Sequence, residues 1–258
     1  MRLPNLFSIS KGTRVVFIIT LVICLTAILL AAAYYRGINR ASDPRILPAR
    51  ELVSQAEELT TGLQGTESVR LLDSALTLIR SVPGYANSWE TGVIFNNMSS
   101  AWLMMALYDS TLLEPEKEEF LEAAGRYADS SLYIYRQWMN DWGTMPKEEI
   151  TDRISPWFHQ DDPSFAGLNP DHILRKRVKD IQSAQIETPR RISVSLTNLG
   201  TVHRHLNRPD SALLCFEEAL ELWGENRAAK SNLQVLQGGE PLKPSLLKSL
   251  FPPQKIKN

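Results

Sequence analysis

Apolar residues recur at helical spacing along most of this chain. In ELVSQAEEL, Leu52, Val53, Ala56 and Leu59 fall on one stripe, the pattern of a helix that buries a single face. Gly62 and Gly65 then break the periodicity. Beyond them Thr66, Val69, Leu72, Ala75, Leu76 and Ile79 mark a second amphipathic helix, stopped by Pro83-Gly84. A third helix is predicted over Ser88–Tyr108, apolar over much of its surface through Val93, Phe95, Met98, Ala101, Trp102, Met105 and Leu107. A fourth, Glu116–Trp138, carries Phe120, Ala124, Tyr127, Ala128, Leu132 and Tyr135. The alternating pattern of a strand is missing from the sequence, so the expected fold class is all-α.

One segment has no polar face. Val15–Tyr35 is an uncharged run of 21 residues; as a helix it spans roughly 31 Å, close to the hydrocarbon core of a bilayer. Tyr34 and Tyr35 close it with rings suited to the interface. The expectation is an N-terminal transmembrane helix at 15–35, behind a basic tail at 1–14 with Arg2, Lys11 and Arg14. Ala31-Ala32-Ala33 would also suit cleavage of a signal peptide, although the apolar run is longer than the usual signal core. A short basic tail kept in the cytoplasm puts the soluble domain on the non-cytoplasmic side; the arginines on both flanks leave the charge rule itself undecided.

The most informative stretch is LTNLGTVHRHLNRPDSALLCFEEAL, within 193–226. Leu196, Leu199-Gly200, Ala212, Phe216 and Ala219 stand at the spacing of a helix–turn–helix unit. Small residues at 200, 212 and 219 let two backbones approach, and Leu196, Leu199 and Phe216 fill the space around the contact. Asn207 falls in the turn, where it tolerates a left-handed conformation. These residues resemble one tetratricopeptide repeat, a 34-residue unit. His203 stands where the family usually has Tyr, and Gly224 where Pro is common. Phe95, Asn97, Met98, Ser99 and Trp102, with Ala128 and Leu132, resemble a second, degenerate unit with a longer turn. Thr188-Pro189 reads as an N-cap with Pro at the first helical position. Asn226–Gln237 reads as a helix covering the exposed face of the last repeat, ended by Gly238-Gly239.

The rest divides around these units. Residues 36–50 read as a linker, because Pro44 and Pro48 limit helix there. Residues 51–138 form the helical, degenerate repeat region. Residues 139–187, rich in Pro, Gly, acid and Trp, read as an insertion that ends in a helix starting at HILRKRVKD. Residues 188–238 hold the repeat-like unit and its capping helix, and 239–258 form a Pro- and Lys-rich tail. Trp138, Trp142, Trp157 and Phe158 mark either a partner surface or anchors that pin the insertion to the core.

Composition narrows the function. At 43% hydrophobic and 22% charged the chain is globular in type. Arg2, Lys11 and Arg14 precede residue 36 with no acid. The remainder therefore carries 25 of the 28 basic side chains and all 29 acidic ones, which gives no basic face for nucleic acid. Phosphate-binding glycine loops, zinc-protease, nucleophile-elbow and dithiol motifs are all lacking. No catalytic, cofactor or metal residue is assigned. His159, Asp161, Asp162, Asp171 and His172 are the one grouping of metal-ligand types, in a setting that reads as a solvated acidic turn. Asn97-Met98-Ser99 matches a glycosylation acceptor but falls in a predicted helix.

The expected function is that of a membrane-anchored, non-catalytic scaffold which binds a protein partner near the membrane. By repeat position, the resemblance implies a groove of Asn96, Ser100, Thr197, Thr201 and Arg204. The insertion adds Trp142 and Trp157 as the adjoining surface. The alternatives are a secreted binding module released by cleavage, and a metal-dependent accessory enzyme with its site in 139–187.

Overall fold

Each amphipathic stripe forms a helix. The computed structural model describes residues 11–243, and among them every regular element is helical and none is a strand. The chain folds as α1 (Lys11–Arg40), α2 (Leu47–Thr61), α3 (Gly65–Ser81), α4 (Trp89–Tyr108), α5 (Glu114–Trp142), α6 (Lys147–Ile154), α7 (Pro170–His205), α8 (Pro209–Leu222) and α9 (Arg227–Leu236). From α2 to α5 each helix packs on the next. α5 then packs on α7, α7 on α8 and α8 on α9. This is a repeat-like array of helical hairpins, as short connections between antiparallel neighbours require.

On α1, the side chains described in an unbroken apolar run are those of Val15–Leu30, all exposed. Among the described residues no helix is long and apolar enough to cross a membrane. The side chains of Ala31–Ala33, Tyr34 and Tyr35, most of the basic tail at 1–14, and 244–258 of the Pro- and Lys-rich tail lie outside the described residues.

Neighbouring helices meet at small residues whose hydroxyls find backbone partners. Ser68 of α3 donates to the Ala56 carbonyl of α2 (2.8 Å), and Ser131 of α5 to the Gly92 carbonyl of α4 (2.9 Å). Ser193 of α7 donates to the Ala219 carbonyl of α8 (2.6 Å). A hydroxyl in such a contact keeps the backbones close and its own oxygen hydrogen-bonded. Gly200 also marks a close approach. A Cβ there would lie 2.6 Å from the Phe216 ring and 3.0 Å from Cys215 Cβ, so both stand directly against it. Asn207 takes the left-handed turn, at φ 53°. Asn226 caps α9 by accepting from Ala229 N (3.1 Å), and its buried amide donates to Ser193 Oγ (2.8 Å) and Thr197 Oγ1 (2.9 Å) of α7.

Two boundaries differ from the sequence reading. Residues 36–50 are not a free linker. α1 continues to Arg40, a 3-10 turn covers Pro44–Ile46, and α2 already begins at Leu47. Pro44 and Pro48 sit in first turns, where a missing N–H costs nothing. Asp43, Ile46 and Ala49 are buried. Nor does Thr188 cap a new helix: Pro189 lies inside α7. The buried stripe Ile173, Arg177, Ile181, Ala184, Thr188, Ile192, Leu196 and Leu199 runs through it without a break. Packing on both sides of the proline outweighs the lost hydrogen bond, a cost of about 3 kcal/mol in isolation.

Candidate functional site

The expected groove is filled by the chain itself. Asn96 and Ser100 face the repeat unit across α4 and α7. Asn96 Oδ1 accepts from Ser195 Oγ (3.0 Å) and Asn198 Nδ2 (3.1 Å), and Asn198 also donates to Ser100 Oγ (3.1 Å). Thr197 and Thr201 are buried, and each donates to the carbonyl four residues before it. Asn226 and Asn232, from the start and the body of α9, then donate to these two threonines. Arg204 donates to Asn232 Oδ1 (3.0 Å). The capping helix was foreseen, but its polar residues take up the hydrogen-bonding groups that were assigned to a partner.

Trp142 and Trp157 lie elsewhere and share a cleft. The insertion at 139–187 is mostly ordered helix: α5 runs to Trp142, α6 and two 3-10 turns follow, and α7 begins at Pro170. Ile150, Ile154, Phe158 and Phe165 bury it on the core. The cleft, about 280 Å³, opens between four segments of the chain. Gly84, Asn87 and Ser88 come from the α3–α4 connection, Trp138, Asp141 and Trp142 from the end of α5, and Arg153, Ile154 and Trp157 from α6 and the turn after it; Arg177 and Ile181 of α7 complete the lining. Gly84 adopts φ 81° and lies against the Trp157 ring, which a Cβ would meet at 2.2 Å, so only glycine fits both the conformation and the contact.

A cationic network supports this cleft. The buried Arg177 pairs with Glu90 (2.5 Å), and its guanidinium lies over Tyr85 (4.0 Å) and Trp89 (4.1 Å). Trp89 stands edge-on to Trp138 at 5.4 Å. Burial opposes the Arg177 charge, but attraction from Glu90 and Tyr85 outweighs it and holds the pKa above the ordinary value. Burial chiefly raises the Tyr85 pKa, and its hydroxyl donates to Asp43 (3.0 Å). Asp43 pairs with Arg45 (2.7 Å), which lies over the stacked Phe158 and Phe165 rings (4.9 and 4.7 Å) and donates to the Trp157 carbonyl (2.9 Å). The segment just after α1 is thereby bound to the wall of the cleft. At the rim, Arg153 lies over the Trp142 ring at 4.4 Å.

The other candidates resolve into structural roles. Asp162 caps the turn at Pro163–Phe165 by accepting from Ser164 N (2.8 Å), which lowers its pKa, and it pairs with Arg45 (3.4 Å). His159 is exposed, and Asp171 and His172 are exposed in the first turn of α7. Among the described residues no group of three or more His, Cys, Asp or Glu side chains is placed to hold a metal ion. Asn97, the glycosylation candidate, donates to Glu57 of α2 (2.9 Å). Burial pushes the Cys215 thiol up to about 11, which makes it a poor nucleophile at neutral pH.

Sequence reasoning missed Ser88, Glu90, Arg177 and Asn226. Arg177 read as one of three basic residues at a helix start, and nothing in that run separates it from Arg175 and Lys176. No protein-family model, no curated protein and no solved structure matches the chain. The likeness to a tetratricopeptide unit therefore rests on the sequence pattern, chiefly that of 193–226; the structure shows a helical, repeat-like arrangement.

Proposed function

We propose that the chain is a non-catalytic, single-pass membrane scaffold of tetratricopeptide-like build, whose helical domain captures a protein partner through the tryptophan-lined cleft. The observation that carries this reading is the convergence of Trp138, Trp142, Trp157 and Arg153 on one open cleft. Tryptophan and arginine are enriched where interfaces gain most of their energy. The repeat-position residues Thr197, Thr201 and Arg204 are engaged by α9, which favours the cleft over the groove. The uncharged run Val15–Tyr35 supports the tether, and the exposed apolar side chains on α1 call for a nonaqueous covering. The helical domain is placed on the non-cytoplasmic side, behind the short basic tail.

The test is crosslinking capture from membranes with Trp142→Ala/Trp157→Ala and with Arg204→Glu, each first shown to be folded by circular dichroism. The paired tryptophan variant is expected to lose at least tenfold of the captured partner, equivalent to about 1.4 kcal/mol, while Arg204→Glu keeps it. Capture lost with Arg204→Glu and kept with the tryptophan pair would return the site to the groove.

A further inference from the structure

The end of α4 that borders the cleft carries an unused hydrogen-bonding group. Ser88 is the N-cap residue of this 20-residue helix, yet its side chain makes no capping hydrogen bond. It is 4% exposed, lines the cleft, and its Oγ has no partner. A buried hydroxyl without a partner is costly, and this one lies beside the Trp89 and Glu90 N–H groups at the start of α4, which have no carbonyl four residues before them within the helix; the Thr91 N–H already donates to the Ser88 carbonyl (3.1 Å). Helix N-termini favour negative charge.

The rest of the lining narrows the ligand. Arg177 is already neutralised by Glu90. Arg153 donates to the Asp141 carbonyl (3.4 Å) and has no carboxylate partner among the described residues, and Asp141 is the one acid in the lining, exposed at the rim. With Asp141 set against Arg153 in the same lining, what is left for an anion is a donor hydroxyl beside a helix N-terminus, which suits a monoanionic carboxylate better than a doubly charged phosphate. Trp142, Trp157, Ile154 and Ile181 give the remaining wall an apolar character. At about 280 Å³ the cleft lies at the lower limit of ligand pockets, roughly 300–1,000 Å³, so it holds little more than one side chain.

We infer that the cleft receives an Asp or Glu side chain of the partner protein together with its apolar neighbour. The carboxylate accepts from Ser88 Oγ and from the first two N–H groups of α4, those of Trp89 and Glu90, and the apolar neighbour rests on Trp142 and Trp157. This assignment rests on the reading of the cleft as the partner site. It is tested on the purified full-length chain in detergent, independently of any partner.

The probes are acetyl-Glu-Phe-amide, its neutral counterpart acetyl-Gln-Phe-amide, and N-acetylphenylalanine. Binding is followed by fluorine NMR of chain labelled with 5-fluorotryptophan, with resonances assigned through Trp142→Phe and Trp157→Phe. The glutamyl probe is expected to shift the Trp142 and Trp157 resonances saturably, and the glutaminyl probe to bind about tenfold more weakly. Ser88→Ala is expected to remove that preference and leave the melting temperature unchanged, because Oγ has no protein partner to lose. Equal binding of the two dipeptides, a preference that survives Ser88→Ala, or the lack of a shift at both tryptophans would overturn the inference. Tighter binding of N-acetylphenylalanine than of the glutamyl dipeptide would overturn the assignment to a side chain. If capture fails in the tryptophan variants but these probes show no preference, the cleft keeps its partner and loses only the proposed carboxylate.

Discussion

Replacing Arg177 with Met is expected to destabilise the helical domain by about 3–5 kcal/mol, read as a lowered midpoint in chemical denaturation. The guanidinium is buried against Glu90, Tyr85 and Trp89, so its loss leaves the Glu90 carboxylate largely buried without a counter-charge and removes the plane on which both rings rest. Most of this cost belongs to the unpaired acid and not to the pair itself. Adding Glu90→Gln to Arg177→Met should therefore recover more than half of the loss, since replacing both partners is far gentler than removing one. A double variant no more stable than Arg177→Met would show that the stacking on Tyr85 and Trp89 dominates and that the ion pair contributes little.

The second large effect is on location. Deleting residues 15–35 is expected to move the chain from the membrane fraction to the soluble fraction, while the intact chain stays with membranes through high-salt and carbonate washing. An uncharged run of 21 residues is held by hydrocarbon and not by charge. Added protease should digest the helical domain in intact cells, as the non-cytoplasmic placement requires. Release of full-length chain into the carbonate wash would contradict the tether. Intact mass separates the remaining case, since a chain that starts near Tyr34 means cleavage and a secreted module.

Helices α2, α3 and α5 were readable because their burial is one-sided, and α4 because apolar residues cover much of its surface: the stripes at 52–59 and 66–79 and the predicted helices near 88–108 and 116–138 coincide with α2 to α5. Pro189 misled because its local cost is visible in sequence, whereas the packing that overrides it is not. The linker reading failed for the same reason, since Pro44 and Pro48 look like breakers until their first-turn positions are known. The candidate site was readable only in part. Trp142 and Trp157 stood out by residue type, and the structure puts them in one cleft. Asn96, Thr197, Thr201 and Arg204 were chosen by repeat position, and Asn198, Asn226 and Asn232 now occupy their polar atoms. Ser88 had no signature, because a hydroxyl's lack of a partner exists only in three dimensions.

The central claim is that a membrane-held helical domain meets its partner at the cleft. The most direct measurement places a photocrosslinking amino acid at Asn87, exposed at the mouth of the cleft, and separately at Leu214, exposed on α8. Both chains are illuminated in native membranes. The account predicts a discrete, heavier adduct from position 87 that is lost in Trp142→Ala/Trp157→Ala, and none from position 214. An adduct from position 214 alone, or one from position 87 that persists in the tryptophan variant, would contradict it.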